Sequence, residues 1–329
     1  MSGSKFPDSL KKGGRMKRRE FLKTASVSGL ASPILLGAQN ELPKRPYRDD
    51  VKLSIVGFGG IIMLDLQQDY ANHIVADAIE RGVNYFDVAP SYGNGEAEEK
   101  LGIALEPHRK NVFLACKAER RDGPGAREQL ETSLRRLKTD HFDLYQFHAV
   151  GTVEDARKIL APGGAAEAFV KAKRDGLVRY VGFSAHGVEA AKLLMESMPL
   201  DSVLFPVNYV NYAEGDFGPQ ILAEAKKRGL ARMALKALAE TTWKPGETKT
   251  YKNCWYRPIE DPALAEKALR FTLSEDVTAA IPPGYEKFLK LAMQIASRFT
   301  PLTRSERQDL LASARGITPI FTEAKGAAA

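Results

Sequence analysis

From Lys52 onward, short runs of apolar residues alternate with stretches in which apolar positions recur every three or four residues. The runs are Leu53–Phe58, Val83–Phe86, Val112–Cys116, Phe142–Phe147, Val178–Phe183, Ser202–Val207, Ala231–Leu235 and Thr278–Ile281. Between them the spacing predicts helices near Ala71–Arg81, Glu96–Leu105, Ala126–Leu137, Ala165–Arg174, Val188–Met195, Phe217–Lys227 and Pro262–Leu273, with Glu286–Arg298 after the last run. Runs this short and this continuously apolar suit strands that are covered on both faces. Eight such rounds in about 250 residues is the span of an α/β fold of the (β/α)8 TIM-barrel type, a single domain over residues 39–329. A doubly wound open sheet would use the same elements, but no G-x-G-x-x-G follows the first run.

Two stretches depart from this rhythm. Residues 239–258 interleave Trp243, Tyr251, Trp255 and Tyr256 with Lys244, Lys249, Lys252 and Arg257, and an insertion of that length suits a lid or binding loop. The tail after Ile317 reads as a frayed end.

Charge changes the picture only at the N-terminus. Residues 1–38 hold eight Lys/Arg against two acids, a net of +6, which leaves +1 of the total +7 for everything else. The excess belongs to a leader and gives no reason to expect nucleic acid as a partner of the barrel. In that leader, Arg18 and Arg19 precede Phe21-Leu22-Lys23, and the uncharged stretch Thr24–Ala38 is too short and too rich in Ser, Gly and Ala for a stable membrane anchor. It resembles a bacterial twin-arginine export signal, which implies the twin-arginine translocase as partner, the periplasm as destination, and cleavage near Ala38. The two cysteines, Cys116 and Cys254, make neither a metal spacing nor a disulfide framework, and Cys116 sits inside an apolar run as a structural thiol would.

The ends of the runs are polar. The second stops at Asp87, the third at Lys117, the fourth at His148, the fifth at Ser184, the sixth at Asn208 and the seventh at Lys236. Singly, each has an ordinary use: a lysine at the surface, a histidine in the core, a serine as a helix cap. In a parallel barrel, however, all these ends share one rim, and recurrence at the same point of successive units builds a mouth. Tyr92 rides the loop five residues beyond Asp87, between Pro90 and Gly95.

The stretches GVNYFDVAPSYGNGEAEEKLGIAL (from Gly82), VFLACK (from Val112) and SLRRLKTDHFDLYQFH (from Ser133) resemble the signature segments of the aldo-keto reductase family. The similarity runs from about Lys52 to Glu286, and Asp87, Tyr92, Lys117 and His148 match that family's catalytic tetrad in order and context. The resemblance implies reduction of an aldehyde or ketone, or oxidation of the corresponding alcohol, with NADP or NAD as cofactor and NADPH preferred over NADH. Tyr92 would donate the proton, Lys117 would favour its phenolate, Asp87 would keep Lys117 charged, and His148 would direct the carbonyl oxygen.

The cofactor positions follow the family pattern less closely. Gly60, Ser184, Asn208, Lys236, Gly284 and Lys287 are the candidates. Ser184 matches a serine that meets the carboxamide, but Ala185 stands where Asn is common and Leu204 where Gln is usual. Lys236 replaces the frequent aromatic ring, and Gly284 and Lys287 lie in a turn before a helix that could hold phosphate. A second reading is therefore an exported barrel that has lost nicotinamide and binds another small molecule. A barrel-type sugar hydrolase would need a second acid facing Asp87, and no other run ends in one. Replacing Arg18 and Arg19 together by Lys is expected to retain the protein in the cytoplasm, as read by fractionation; equal periplasmic recovery would remove the export reading.

Overall fold

The computed structural model describes residues 41–323 and 326–327, so the expected leader over 1–38 lies outside the described residues. Eight strands pair in parallel and in sequence order: β1 (Phe58–Gly59), β2 (Tyr85–Asp87), β3 (Phe113–Ala118), β4 (Phe142–Val150), β5 (Val178–Ala185), β6 (Ser202–Pro206), β7 (Ala231–Leu235) and β8 (Ala279–Ile281). A parallel bridge between Val56 and Ala280 links the last strand to the first, with Gly57 N donating to Ala280 O at 3.0 Å and Ala280 N to Ile55 O at 2.9 Å. The result is the (β/α)8 barrel that the alternating pattern predicts.

Helices follow the strands: α1 (Gln68–Glu80), α2 (Glu96–Leu105), α3 (Gly123–Arg136), α4 (Val153–Leu160), α5 (Ala165–Arg174), α6 (Val188–Ser197), α7 (Tyr209–Glu214), α8 (Pro219–Lys227), α9 (Pro262–Ser274), α10 (Glu286–Ala296) and α11 (Arg304–Ser313). Their starts are chemically marked. Asp122 accepts from Gly125 N ahead of α3, Asp261 from Leu264 N ahead of α9, and Thr303 with Glu306 forms a capping box on α11. The short helices α4, α7 and α11 were not legible in the apolar spacing.

Strand alternation sorts the core into two layers. Phe86, Leu114, Tyr145, Phe147, Val181, Phe183 and Phe205 face outward beneath the helices, and Phe147 stacks on Phe169 of α5 with ring centroids 4.1 Å apart. Their neighbours Tyr85, Phe113, Ala115, Leu144, Tyr180, Leu204 and Met233 fill the barrel. Both faces are dry, which is why each run reads as apolar throughout rather than as an alternation.

Three expectations change. The run Leu53–Phe58 is not one strand: Val51–Ser54 pairs antiparallel with Lys44–Arg48, while Val56 bridges the last barrel strand and Phe58–Gly59 pairs with the second. Tyr47 and Leu53 of that hairpin pack among the first inward side chains of the strands, Tyr47 lying 4.9 Å from Phe113 and 5.3 Å from Tyr180 between ring centroids. Residues 239–258 are partly regular, since Ala239–Thr242 pairs with Tyr256–Pro258 as a hairpin. The tail is not frayed at Phe321, which is fully buried between Phe217 and His186 at centroid distances of 5.1 and 5.0 Å. The buried side chains of Ile320 and Phe321, with Glu323 N donating to Gly215 O at 3.1 Å, fasten the segment. Phe321→Ala is expected to cost about 3–5 kcal/mol, seen as a lower urea midpoint at unchanged slope.

Candidate active site

Alternation carries the inward face from the core to the rim. Tyr85 points inward, hence Asp87; Phe113 and Ala115, hence Lys117; Leu144, hence Gln146 and His148; Tyr180, hence Ser184. At that end Asp87, Tyr92, Lys117, His148 and Ser184 open on one cavity of about 190 Å³. The 239–258 hairpin covers it with Cys254, Trp255 and Tyr256, while Lys236 and Gly284 complete the wall.

Asp87 and Lys117 form an ion pair at 3% and 1% exposure. The carboxylate also accepts from Gln146 Nε2 at 2.8 Å and from Tyr85 O–H at 3.2 Å, and the ammonium donates to Val88 O at 3.1 Å. Burial alone would push the lysine down, but Asp87 and the Tyr92 oxygen more than offset it, lifting the Lys117 pKa to about 12.

Tyr92 is presented by a tight turn, Tyr92–Gly95, in which Gly93, Asn94 and Gly95 all have positive φ. At Gly95 a Cβ would also stand 2.3 Å from the Arg136 guanidinium, which would have to move from its place against Glu98. That guanidinium holds the fully buried Glu98 of α2 at 3.0 Å, so the turn is anchored between α2 and α3. The Lys117 ammonium lies 5.4 Å from the centre of the Tyr92 ring, and the His148 imidazole meets that ring edge-on at 6.0 Å. Burial raises the Tyr92 pKa above the ordinary phenol value, and the opposing pull of Lys117 does not cancel it. The phenol therefore keeps its proton at neutral pH, and Lys117 offsets only part of the burial.

His148 is pushed the other way. Burial lowers its pKa, Lys117 adds to the fall, and Glu119 opposes it with Oε1 3.2 Å from Nδ1 but off the line of a good hydrogen bond. The imidazole is neutral. His186, also at the cavity, falls to about 3 through burial and the nearby Lys236 and His148.

The candidate cofactor residues separate into two groups. Ser184, Lys236 and Gly284 line the cavity. Ser184 Oγ accepts from Ala149 N at 2.7 Å, which leaves its own O–H free to donate. Gly60, Asn208 and Lys287 do not line it. Gly60 packs so closely on Val88 that a Cβ would come within 2.7 Å of that side chain. Asn208 caps α7 by accepting from Asn211 N at 2.8 Å and donates to Lys236 O at 3.2 Å. Lys287 is bonded to the Tyr251 hydroxyl and to Glu260 Oε1, the latter at 3.0 Å. Gln146 and Glu119 carry no signal of their own in the sequence; Gln146 sits two residues before His148 on the same face of β4, and Glu119 lies one residue past the end of β3, two beyond Lys117. His186 and Cys254 carried no comparable signal.

A nicotinamide ring fits the chemical end of this cavity, beside Tyr92 and the free Ser184 donor. The flanking Ala185 and Leu204 are buried and apolar, and Lys287 is already engaged, so these three side chains offer a dinucleotide no free polar group. Among the described residues no group of three or more His, Cys, Asp or Glu is placed to hold a metal ion.

The barrel and the residues at its rim are those the sequence resemblance implies, and sequence comparison establishes the family. The chain matches the Aldo/keto reductase family over residues 56–303, and it belongs to that family. It is 28% identical over 287 residues to the uncharacterized oxidoreductase YqkF of Bacillus subtilis, covering 78% of this chain and 91% of that protein. Aldo-keto reductase AKR11C1 of Bacillus halodurans in its holo form superposes with a TM-score of 0.67 at 25% identity, over 86% of this chain and all of that one. An aldo-keto reductase of Klebsiella pneumoniae solved in complex with NADPH has the same fold, with a TM-score of 0.65 at 19% identity over 84% of this chain and 96% of its own.

The buried pair can be tested apart from catalysis. Asp87→Asn leaves Lys117 without its counter-charge and is expected to cost about 3–5 kcal/mol by urea unfolding. Because the lysine is raised in the folded state, the pair's contribution is complete below the ordinary value of 10.5 and is lost as pH climbs to about 12. The variant should lack that alkaline loss.

Proposed function

We propose that this chain is a nicotinamide-dependent carbonyl reductase, working equally in reverse as an alcohol dehydrogenase. The observation that supports it most is the buried Asp87–Lys117 pair lying beside a protonated Tyr92 and a neutral His148 in one cavity. A bound nicotinamide cofactor supplies the hydride for the carbonyl carbon. The carbonyl oxygen, as it becomes negative, takes the proton from the Tyr92 hydroxyl. Lys117 then stabilises the phenolate left behind, at a distance where its charge is little screened, and Asp87 holds Lys117 in its cationic form. His148, neutral and set edge-on to Tyr92, positions the oxygen with an N–H. Ser184 and the turn at Gly284 would hold the cofactor's ring end and its approach. NADPH is the first cofactor to assay, on the parallel with the Klebsiella barrel.

Residues 1–38 are read, on their sequence, as the twin-arginine leader that delivers the enzyme to the periplasm with its cofactor loaded. The absence of a free polar group on Ala185, Leu204 and Lys287 favours one competing reading, a small-molecule binding protein built on the reductase barrel. Titration with NADPH, followed by nucleotide fluorescence, separates the two. Tyr92→Phe is expected to lower kcat by about 10²–10⁴ in aldehyde reduction while NADPH still binds. Near wild-type turnover in that variant would remove Tyr92 as the acid.

A further inference from the structure

Two imidazoles line the cavity, His148 and His186, and among the described residues only His148 has a carboxylate at its ring. Glu119 Oε1 stands 3.2 Å from its Nδ1, whereas His186 is stacked on Phe321. That Nδ1 is buried and makes no hydrogen bond. In the neutral ring whose N–H turns to the cavity, Nδ1 carries the lone pair, and a lone pair facing a carboxylate oxygen is not attracted to it until a proton comes between them.

Both partners are held in place through their backbones. Glu119 N and Arg120 N each donate to Gln129 Oε1 at 2.9 Å, which fastens the loop after β3 to α3. His148 sits where the pairing of β4 with β5 shifts register, next to Ala149 with a φ of 51°. An irregularity of this kind re-aims a side chain at a strand end. His148 O accepts from Arg121 Nη2 at 2.6 Å, and Asp155 holds that guanidinium through bonds of 2.7 and 2.8 Å. One loop therefore grips the histidine twice, Arg121 at the carbonyl and Glu119 at the ring.

The other groups around the ring do not serve it as a counter-charge. Burial opposes a second proton, as does Lys117; Asp87 favours one but is committed to Lys117. Tyr92, edge-on at 6.0 Å, and His186 are both uncharged at neutral pH. Glu119 is left. His148 beside it holds its carboxyl below the usual range, with Ser91 adding to the fall, so it is ionised. Its side chain is 44% exposed and borders, with Ser91 and Gln129, an outer groove of about 300 Å³ that solvent reaches.

We propose that Glu119 is a positioning residue that supplies the counter-charge for a second proton on His148, which makes aldehyde reduction acid-assisted. The proton comes from solvent and rests on Nδ1 against Glu119, while Nε2–H continues to face the carbonyl oxygen. Neutral, His148 offers that oxygen one N–H; as imidazolium it offers the same N–H with a full charge, and a charged donor makes the stronger bond to an oxygen that is turning negative. The assignment rests on the reductase reading of the cavity. Burial sets the His148 titration below 6.5 and Glu119 opposes the fall, so losing the carboxylate moves it lower still.

The full chain carrying isotope-labelled histidine is titrated by NMR, with the His148 signal identified by its loss in His148→Gln. Its midpoint is expected below 6.5, and lower again in Glu119→Gln. In parallel, kcat/KM for butanal with NADPH is measured against pH. In the wild-type chain it should rise as His148 gains its proton; Glu119→Gln should fall about two- to fivefold behind on the acid side, the gap closing as pH rises. Formate, small enough for the groove beside a truncated side chain, should restore the acid limb in Glu119→Ala. An unchanged His148 midpoint in Glu119→Gln overturns the assignment. So does a loss of rate that is equal at every pH and indifferent to formate, since that is the mark of a merely misplaced loop. If no aldehyde is reduced while the midpoint still falls in Glu119→Gln, the Glu119–His148 pair stands and the reductase reading falls.

Discussion

A lysine and an aspartate thirty residues apart share a site from which water is almost wholly excluded, and the rim of this barrel is organised around keeping both charged. Withdrawing two ions from water costs several kcal/mol each, so such a pair persists only when its remaining donors and acceptors are also met. Here the strands meet them. Asp87 lies in register with Ala115, Lys117 with Gln146, and the amide of Gln146 closes on the far oxygen of Asp87. Tyr85, one inward step below Asp87, contributes its hydroxyl from the core itself. The charged layer is the topmost layer of the packed interior, and its geometry inherits the rigidity of the sheet.

Electrostatics then divide the labour among the other groups. A phenol raised by burial keeps its proton, an imidazole lowered by burial gives its proton up, and among the described residues the cations that line the cavity are the two lysines. One is answered internally and the other is not.

The cover of the site is made from segments distant in sequence. Asn253 N donates to the Tyr285 hydroxyl at 2.9 Å, tying the 239–258 hairpin to the start of α10. Trp255 meets Phe321 edge-on at 5.5 Å, tying it to the C-terminal segment. A hairpin, a turn and a tail therefore stabilise one another over the mouth, and a change in any of them will be felt by the cavity wall.

The sequence by itself determined the eightfold alternation, the polar residues that end six of the eight runs and the resemblance of Asp87, Tyr92, Lys117 and His148 to a known tetrad, because these follow from local periodicity and short motifs. Strand alternation also made Gln146 readable in principle, two residues before His148 on the same strand. Only the tertiary structure decided that Val51–Ser54 leaves the barrel for a hairpin, since that depends on Tyr47 finding room against Phe113 and Tyr180. It alone assigned Asn208 to capping, Lys287 to Glu260 and Phe321 to a buried aromatic stack. It also left Lys236 without a partner among the described residues. Whether a charge is paired is a property of three-dimensional neighbours, which no local window of the chain contains.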